Sequence, residues 1–293
     1  MIEVIGFGLS GACLALRLNA CGQEVRVIDD GKPGSTVVAA GLVNPVAGKN
    51  FEPSVDICEH WEFAGRFYHD LDSTLFHSMP IHRLWRDEKD RAKFERKREL
   101  VEPWIESIDD SGVTWKHGGW LDTQRFLKSA RERLLSEKVE FSTIQGPATQ
   151  RIWCTGARGL IAQEFPNVNH RSAKGEILTV HIPDWKEERI LNRNGWVIPL
   201  GEDRYRVGAT YEWTDLESGP TPDGRAKVEA LLKTFTDCSY AIEDHVAGIR
   251  PIIERSRPII LKSERGWMFN GLGSKGVIYA PLVAENLVGE IVR

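Results

Sequence analysis

The chain lacks paired cysteines, long apolar runs and linker-like sequence, and each absence narrows what it can be. Its five cysteines, Cys13, Cys21, Cys58, Cys154 and Cys238, are odd in number and scattered, with no C-x-x-C pair. That pattern argues against a disulfide framework or a zinc site and makes a reducing, cytoplasmic setting the expectation. No apolar run is long enough to span a bilayer and the first strand begins at residue 2, so neither a membrane span nor a secretion signal is expected. No repeat, low-complexity tract or Pro/Gly/Ser-rich linker divides the sequence into consecutive domains. Its 38 Lys+Arg against 42 Asp+Glu leave a net charge of −4, which gives no general attraction for nucleic acid. The one basic stretch, Lys89 to Arg98, is diluted by Asp87, Glu88, Asp90 and Glu95 and reads as a solvated helix face. With 293 residues, 41% of them hydrophobic, the chain can bury a substantial core as one large domain or two intimately joined ones.

What the chain does have is three glycine-rich turns. The first, Gly6-Phe7-Gly8-Leu9-Ser10-Gly11, follows an apolar run from Met1 to Ile5 and leads into an amphipathic helix. In a dinucleotide fingerprint the first glycine permits the turn, the second lets backbone approach a pyrophosphate, and the third lets the helix pack on the sheet with its N-terminus facing the phosphates. The strand Glu24 to Ile28 then ends in Asp29-Asp30, where an acid can accept hydrogen bonds from an adenosine ribose. Asp29 directly follows the strand and is preferred for that role, with Asp30 read as a turn residue. The middle turn, Thr155-Gly156-Ala157, ends a strand and can bring bare backbone against a cofactor. The third, Gly271-Leu272-Gly273-Ser274-Lys275-Gly276, again lies between a strand and a helix and marks a second site for negative charge.

Helices are expected over Ile57 to Phe76, Asp87 to Ile108, from Asp122 as N-cap, Pro222 to Phe235 and Ser274 to Val292. Strands are expected at Glu176 to Ile182, Trp196 to Leu200, Tyr205 to Ala209, Ile249 to Ile253, Pro258 to Leu261 and Trp267 to Phe269. Dinucleotide-type segments at both ends of the chain enclose a strand-rich block. The expected fold is therefore α/β, with a Rossmann-like cofactor-binding domain (1–78, 120–173 and 247–293) interleaved with a mixed-sheet α+β substrate domain (79–119 and 174–246).

These segments, taken in order, resemble the D-amino-acid oxidase and glycine oxidase superfamily of FAD-dependent oxidoreductases. The resemblance covers nearly the whole chain: Gly6 to Gly11, Ser35 to Pro45, Gly119-Trp120-Leu121-Asp122, Thr155-Gly156-Ala157, Lys174 to Ile177, Gly195 to Pro199 with Val207 to Thr210, and Gly248-Ile249-Arg250-Pro251. The final segment, Gly271 to Glu285, is most similar to the FAD domain of the bifunctional enzymes that oxidatively trim a modified wobble uridine in tRNA. The resemblance implies non-covalent FAD, its adenosine near Asp29 and its pyrophosphate at Gly8 to Gly11. Ser35, Thr36, Ala40, Gly41 and Leu42 would lie along the phosphates and flavin, and the Gly273 to Val277 amides, including Ser274, Lys275 and Gly276, would face the N1 and C2 edge of the ring. It also implies hydride transfer from an amine-bearing carbon to flavin N5, giving an imine that water hydrolyses, with dioxygen or another acceptor taking the electrons.

Three side chains are catalytic candidates. Arg250 sits in a mostly apolar strand, where a guanidinium needs an anion; it reads either as the family's substrate-carboxylate arginine or as a salt bridge to Glu243, Asp244 or Glu254. Lys275 lies in the first turn of a helix, against the dipole, and either meets an anion such as reduced flavin or carries its ammonium into water. Trp196 stands where many relatives have a tyrosine that bonds the substrate carboxylate, and is either a wall of the pocket or a packed aromatic. The eight histidines show no metal spacing and no general base is singled out; a neutral amine needs none. The leading function is oxidation of a primary or secondary amine, that of a small amino acid. The alternatives are removal of a carboxymethyl group from a modified tRNA nucleoside and a non-catalytic flavin-binding subunit.

Overall fold

Strand β1 (Ile2–Ile5) is buried along its whole length, and this explains both its apolar character and the treatment of its one charge. Glu3 is fully buried, and its carboxylate accepts from Arg26 at 3.2 Å, the Gly146 amide at 2.7 Å and Arg151 Nε at 2.9 Å. A computed structural model describes residues 1–165, 167–253 and 257–293. After β1 come α1 (Leu9–Ala20), β2 (Val25–Ile28), α2 (Ser35–Val38), β3 (Leu42–Val43), α3 (Ile57–Leu71), β4 (Phe76–Ser78), β5 (Ile81–Leu84) and α4 (Glu88–Val101). The chain continues through β6 (Ile105–Ile108), β7 (Gly112–Trp115), β8 (Gly119–Leu121), α5 (Thr123–Ser136), β9 (Glu140–Ser142), β10 (Gln150–Trp153) and α6 (Gly156–Ile161). It ends with β11 (Ala173–His181), β12 (Ile190–Asn192), β13 (Trp196–Gly201), β14 (Arg204–Gly208), α7 (Pro222–Leu232), β15 (Ala241–Arg250), β16 (Ile259–Ser263), β17 (Gly266–Asn270) and α8 (Gly276–Ile291).

These elements form a six-stranded sheet in the order β16-β17-β10-β1-β2-β9, parallel except for β16, and an eight-stranded mixed sheet in the order β15-β11-β14-β13-β12-β5-β7-β6. A small sheet, β3-β8-β4, lies in the same hydrophobic core as both. The topology is α/β and interleaved, because β9 with β10, and later β16 with β17, return to the first sheet after excursions through the second.

The eight-stranded sheet has two unlike faces, since alternate residues of a strand point to opposite sides. Leu178, Val180, Val197, Tyr205 and Val207 face one way and form a separate core with Val228 and Leu232 of α7. Ile177, Trp196, Ile198 and Val246 face the other way, into the main core that the parallel sheet shares.

Two helices are shorter than their periodicity predicts. The helix expected over Ile57 to Phe76 stops at Leu71, where Asp72 turns the chain by accepting from the Thr74 amide at 2.9 Å, and Phe76 begins β4 instead. The helix expected over Asp87 to Ile108 stops at Val101 because Pro103 has no amide hydrogen to continue its bonding; Glu102 to Trp104 make one 3-10 turn, and Ile105 to Ile108 form an edge strand. At its start Asp87 caps α4 by accepting from the Asp90 amide at 2.7 Å, and Asp122 caps α5 by accepting from the Arg125 amide at 3.0 Å.

Candidate cofactor and substrate site

The three glycine turns, distant in sequence, meet at the carboxyl ends of the parallel strands. Gly6, at φ +99°, lies so close to the middle turn that a Cβ there would fall 2.6 Å from the Cys154 carbonyl oxygen. Gly11 is tighter still, with a Cβ position 1.9 Å from the Gly6 carbonyl oxygen. The Gly8 Cβ position instead meets only the Thr36 hydroxyl, at 3.3 Å. Two glycines therefore serve close packing, and the third leaves backbone bare where α1 begins without a side-chain cap. The third turn closes the group: Asn270 Nδ2 donates to the Gly156 carbonyl at 2.9 Å, and a Cβ on Gly276 would fall 2.8 Å from the Leu9 side chain.

The segment after Gly34 crosses this junction. Thr36 Oγ1 accepts from the Leu9 amide at 3.0 Å, Ala39 accepts from Thr123 at 3.1 Å, and Gly41, at φ +70°, packs against the Leu121 carbonyl where no Cβ fits. Ser35, Thr36, Ala40, Gly41 and Leu42 are thereby held between the parallel sheet and the eight-stranded sheet, and Gly248 of β15 has room for nothing larger because Val38 sits on it.

Asp29 and Asp30 both sit just past β2, and both have arginine partners. Asp29 Oδ2 is 3.2 Å from Arg131 Nη1, whereas Asp30 takes the Arg158 fork at 2.8 and 3.3 Å and the Lys32 amide at 3.0 Å. The Arg158 bonds hold the Asp30 carboxyl below the usual carboxylate range. Of the middle turn, Thr155 spends its hydroxyl on Glu164, so what it and Gly156 present to the junction is backbone.

Arg250 ends β15 on the inner face of the eight-stranded sheet. Its guanidinium lies directly above Gly175 of β11, where a Cβ would fall 2.2–2.4 Å from its terminal atoms. It donates to the Thr210 carbonyl at 3.2 Å, and its Cζ is 4.3 Å from the centre of the Tyr211 ring. Burial lowers its pKa, and Tyr211 only partly opposes that shift. Neither expected salt bridge to Glu243 or Asp244 forms: Glu243 pairs with Arg204 at 2.7 Å, and no described carboxylate lies within ion-pair distance of Arg250. Glu254 lies outside the described residues.

Trp196 shares that face. Its indole covers Gly208 of β14, whose Cβ position is 2.9 Å from Trp196 Cζ2 and 3.2 Å from Ile177 Cγ1. Arg250 and Trp196 thus reach inward from opposite sides over glycine floors. Gly208 is opposite Ile177, two residues from Gly175, so strand geometry separates the two floors by about 8 Å. Lys275 lies at the start of α8, partly desolvated, and burial lowers its pKa; no described carboxylate pairs with it. Its turn is tied to the arginine by the Gly273 amide, which donates to the Pro251 carbonyl at 3.1 Å.

Two residues of this face had no sequence signal. Arg206 of β14 donates to the Ala39 carbonyl at 3.2 Å, with its pKa lowered by burial and partly restored by Asp122 and Asp244. Tyr211 lies beyond the end of β14, on the inner side, where strict alternation from Gly208 would turn it outward.

This cradle fits an extended adenine dinucleotide: bare backbone at Gly8, an uncapped helix N-terminus, an acid past β2 and a second glycine loop facing a desolvated sheet. A family model described as FAD dependent oxidoreductase matches residues 2–289, and the chain belongs to that family. It is an FAD-dependent oxidoreductase. Among curated proteins it is 23% identical, over 99% of its own length and 56% of the relative's, to the tRNA 5-methylaminomethyl-2-thiouridine biosynthesis bifunctional protein MnmC of Idiomarina loihiensis. The corresponding Maricaulis maris protein is 24% identical over 99% of this chain and 52% of that protein, so the chain spans about half the length of these relatives. Among solved structures, iminodiacetate oxidase from Chelativorans sp. BNC1 superposes with a TM-score of 0.83 at 19% identity, covering 100% of this chain and 95% of that one. Glycine oxidase from Bacillus cereus gives 0.81 at 15% identity, covering 99% and 94%. Among the described residues, no helix is long and apolar enough to cross a membrane.

Proposed function

We propose that the protein oxidises the amine of a small amino acid or a similar carboxylate-bearing amine. The observation that carries this reading is Arg250, desolvated above Gly175 with no described carboxylate partner, on the face that the glycine junction meets. Bound FAD supplies a two-electron acceptor for hydride from the amine-bearing carbon, and dioxygen or another acceptor takes those electrons onward. Arg250 anchors the substrate carboxylate through its free guanidinium edge, and Trp196 walls the opposite side. The Gly273 to Val277 amides, with Lys275, favour negative charge beside them. A substrate amine delivered neutral requires no protein base.

In this reading residues 1–78, 120–173 and 247–293 hold the cofactor, with Gly6 to Gly11 at its pyrophosphate and Asp29 at its ribose, and 79–119 with 174–246 form the substrate domain. Attachment is read as non-covalent: the two cysteines nearest the first turn are buried, and burial raises the thiol pKa of Cys13 and pushes that of Cys154 up to about 12, which disfavours their thiolates. The test is anaerobic bleaching of the FAD-loaded protein by a panel of amino acids, N-substituted glycines and carboxylate-free amines. Bleaching by carboxylate-bearing amines far faster than by carboxylate-free ones is the expected result; bleaching by none of the panel overturns the reading.

A second reading, removal of a carboxymethyl group from a modified tRNA nucleoside, draws support from the bifunctional relatives. Salt-dependent tRNA binding, together with bleaching by tRNA that carries the group, selects it.

A further inference from the structure

The chain gains one residue just past the end of the strand that carries Gly208, and this decides where Tyr211 points. From Ile177↔Gly208 to His181↔Arg204 the β11–β14 register is regular, but Lys174 pairs with Glu212 rather than with Tyr211. The extra residue is a bulge, which reverses the alternation beyond it. Glu212 is held by reciprocal amide bonds with Lys174 of 2.8 and 2.9 Å, on the outer side, and Tyr211 falls on the inner side above Arg250.

Tyr211 is held by its ring but not by its hydroxyl. One face lies on the Arg250 guanidinium and the ring stacks on Trp213 at 5.7 Å and 26°, with Arg171 5.0 Å beyond. Its phenol oxygen is 3.4 Å from Ser274 Oγ, well beyond the usual distance between hydroxyls, and the residue is 50% exposed. A loosely engaged phenol therefore stands between the Arg250 guanidinium and the loop that opens α8.

Resting on the amino-acid reading above, we propose that Tyr211 is a second ligand of the substrate carboxylate, donating its phenol hydroxyl to the anion that Arg250 pairs. It selects for carboxylate-bearing amines from the side opposite Trp196, whose indole covers Gly208 instead of reaching Arg250. Ser274, at the limit of its reach, is the partner the phenol leaves when the anion binds.

The test is Tyr211→Phe, which keeps the ring over Arg250 and removes only the hydroxyl. Acetate titrated into the FAD-loaded protein, followed by the flavin absorption spectrum, is expected to show a Kd raised about tenfold in the variant. The KM of a carboxylate-bearing amine rises similarly with kcat little changed, and kcat/KM for benzylamine stays at the parent value. An acetate Kd equal to the parent's overturns the proposal, as does equal weakening of carboxylate-bearing and carboxylate-free amines, which assigns Tyr211 to packing. If no amine bleaches the flavin, the amino-acid reading falls, while the acetate titration still decides the role of Tyr211.

Discussion

The two faces of the eight-stranded sheet bury charge in opposite ways, and neighbouring residues of β11 show both. On the outer face Glu176 accepts from the Thr221 amide and hydroxyl, each at 2.8 Å, lies 2.8 Å from His245 Nε2 and is 3.6 Å from Lys174 Nζ. Lys174 is in turn bonded to Ser218 and to the Gly219 carbonyl. On the inner face, one residue away, Gly175 makes room for a guanidinium with one backbone carbonyl and one aromatic ring as its described partners. A satisfied buried network stabilises a fold, whereas a desolvated cation held by neutral groups keeps its charge for something that arrives later.

The largest effect is expected on the outer face. Glu176→Ala leaves Lys174 buried without its nearest carboxylate and should lower stability by about 3–5 kcal/mol in denaturant unfolding. The same carboxyl gives the comparison a pH axis. Burial pushes its pKa up, but the Thr221 and His245 bonds and the Lys174 charge outweigh that, leaving it below its ordinary 4.5. A carboxyl depressed on folding contributes stability above its unfolded pKa and loses it as pH falls through the folded value. Acid unfolding of the parent should therefore steepen below about pH 4.5, and Glu176→Gln should flatten that slope. Equal slopes in parent and variant would remove Glu176 from the balance.

On the inner face the expectation reverses. Arg250→Met removes a cation that is costly to bury, so its melting temperature should equal or exceed the parent's, while kcat/KM for a carboxylate-bearing amine falls about a hundredfold. A destabilised Arg250→Met protein that kept its substrate affinity would make Arg250 a structural residue like Glu176 and dissolve the difference between the faces.

How much of this was readable beforehand follows the same division. Gly6, Gly8 and Gly11 carry their roles in their spacing, because a tight turn, a bare approach and a close packing each exclude a side chain locally. Asp122 and Asp87 announce helix starts for an equally local reason. Arg250 was legible because a charge in an apolar strand is anomalous anywhere. Tyr211 was not: its face depends on a one-residue slip against β11, a partner more than thirty positions earlier, and strict alternation from Gly208 points it outward. The charge-rich segment after Asp87 reads as helix until Pro103 is weighed, and only pairing with β7 makes Ile105 to Ile108 a strand. Where the Trp196 ring lies also depended on its cross-strand partner, and the glycine at 208 is what lets the indole lie flat over β14.

The subtlest break in the comparison is at Gly175 itself. An added Cβ would meet Arg250 Nη2, Nη1 and Cζ at 2.2, 2.3 and 2.4 Å, and these are the far end of a flexible side chain rather than backbone. The strand can therefore keep its pairing with β14 and β15 while the guanidinium is lifted off the sheet, away from the Thr210 carbonyl and the Tyr211 ring. Gly175→Ala should fold with a melting temperature within a few degrees of the parent, since glycine in a strand interior is itself unfavourable. Its KM for a carboxylate-bearing amine should rise about tenfold, because a displaced anchor loses one charge-assisted hydrogen bond rather than the whole ion pair. Acetate binding should weaken in the same proportion. An unchanged KM would mean that the guanidinium finds its anion from more than one position, and that the glycine floor serves packing alone.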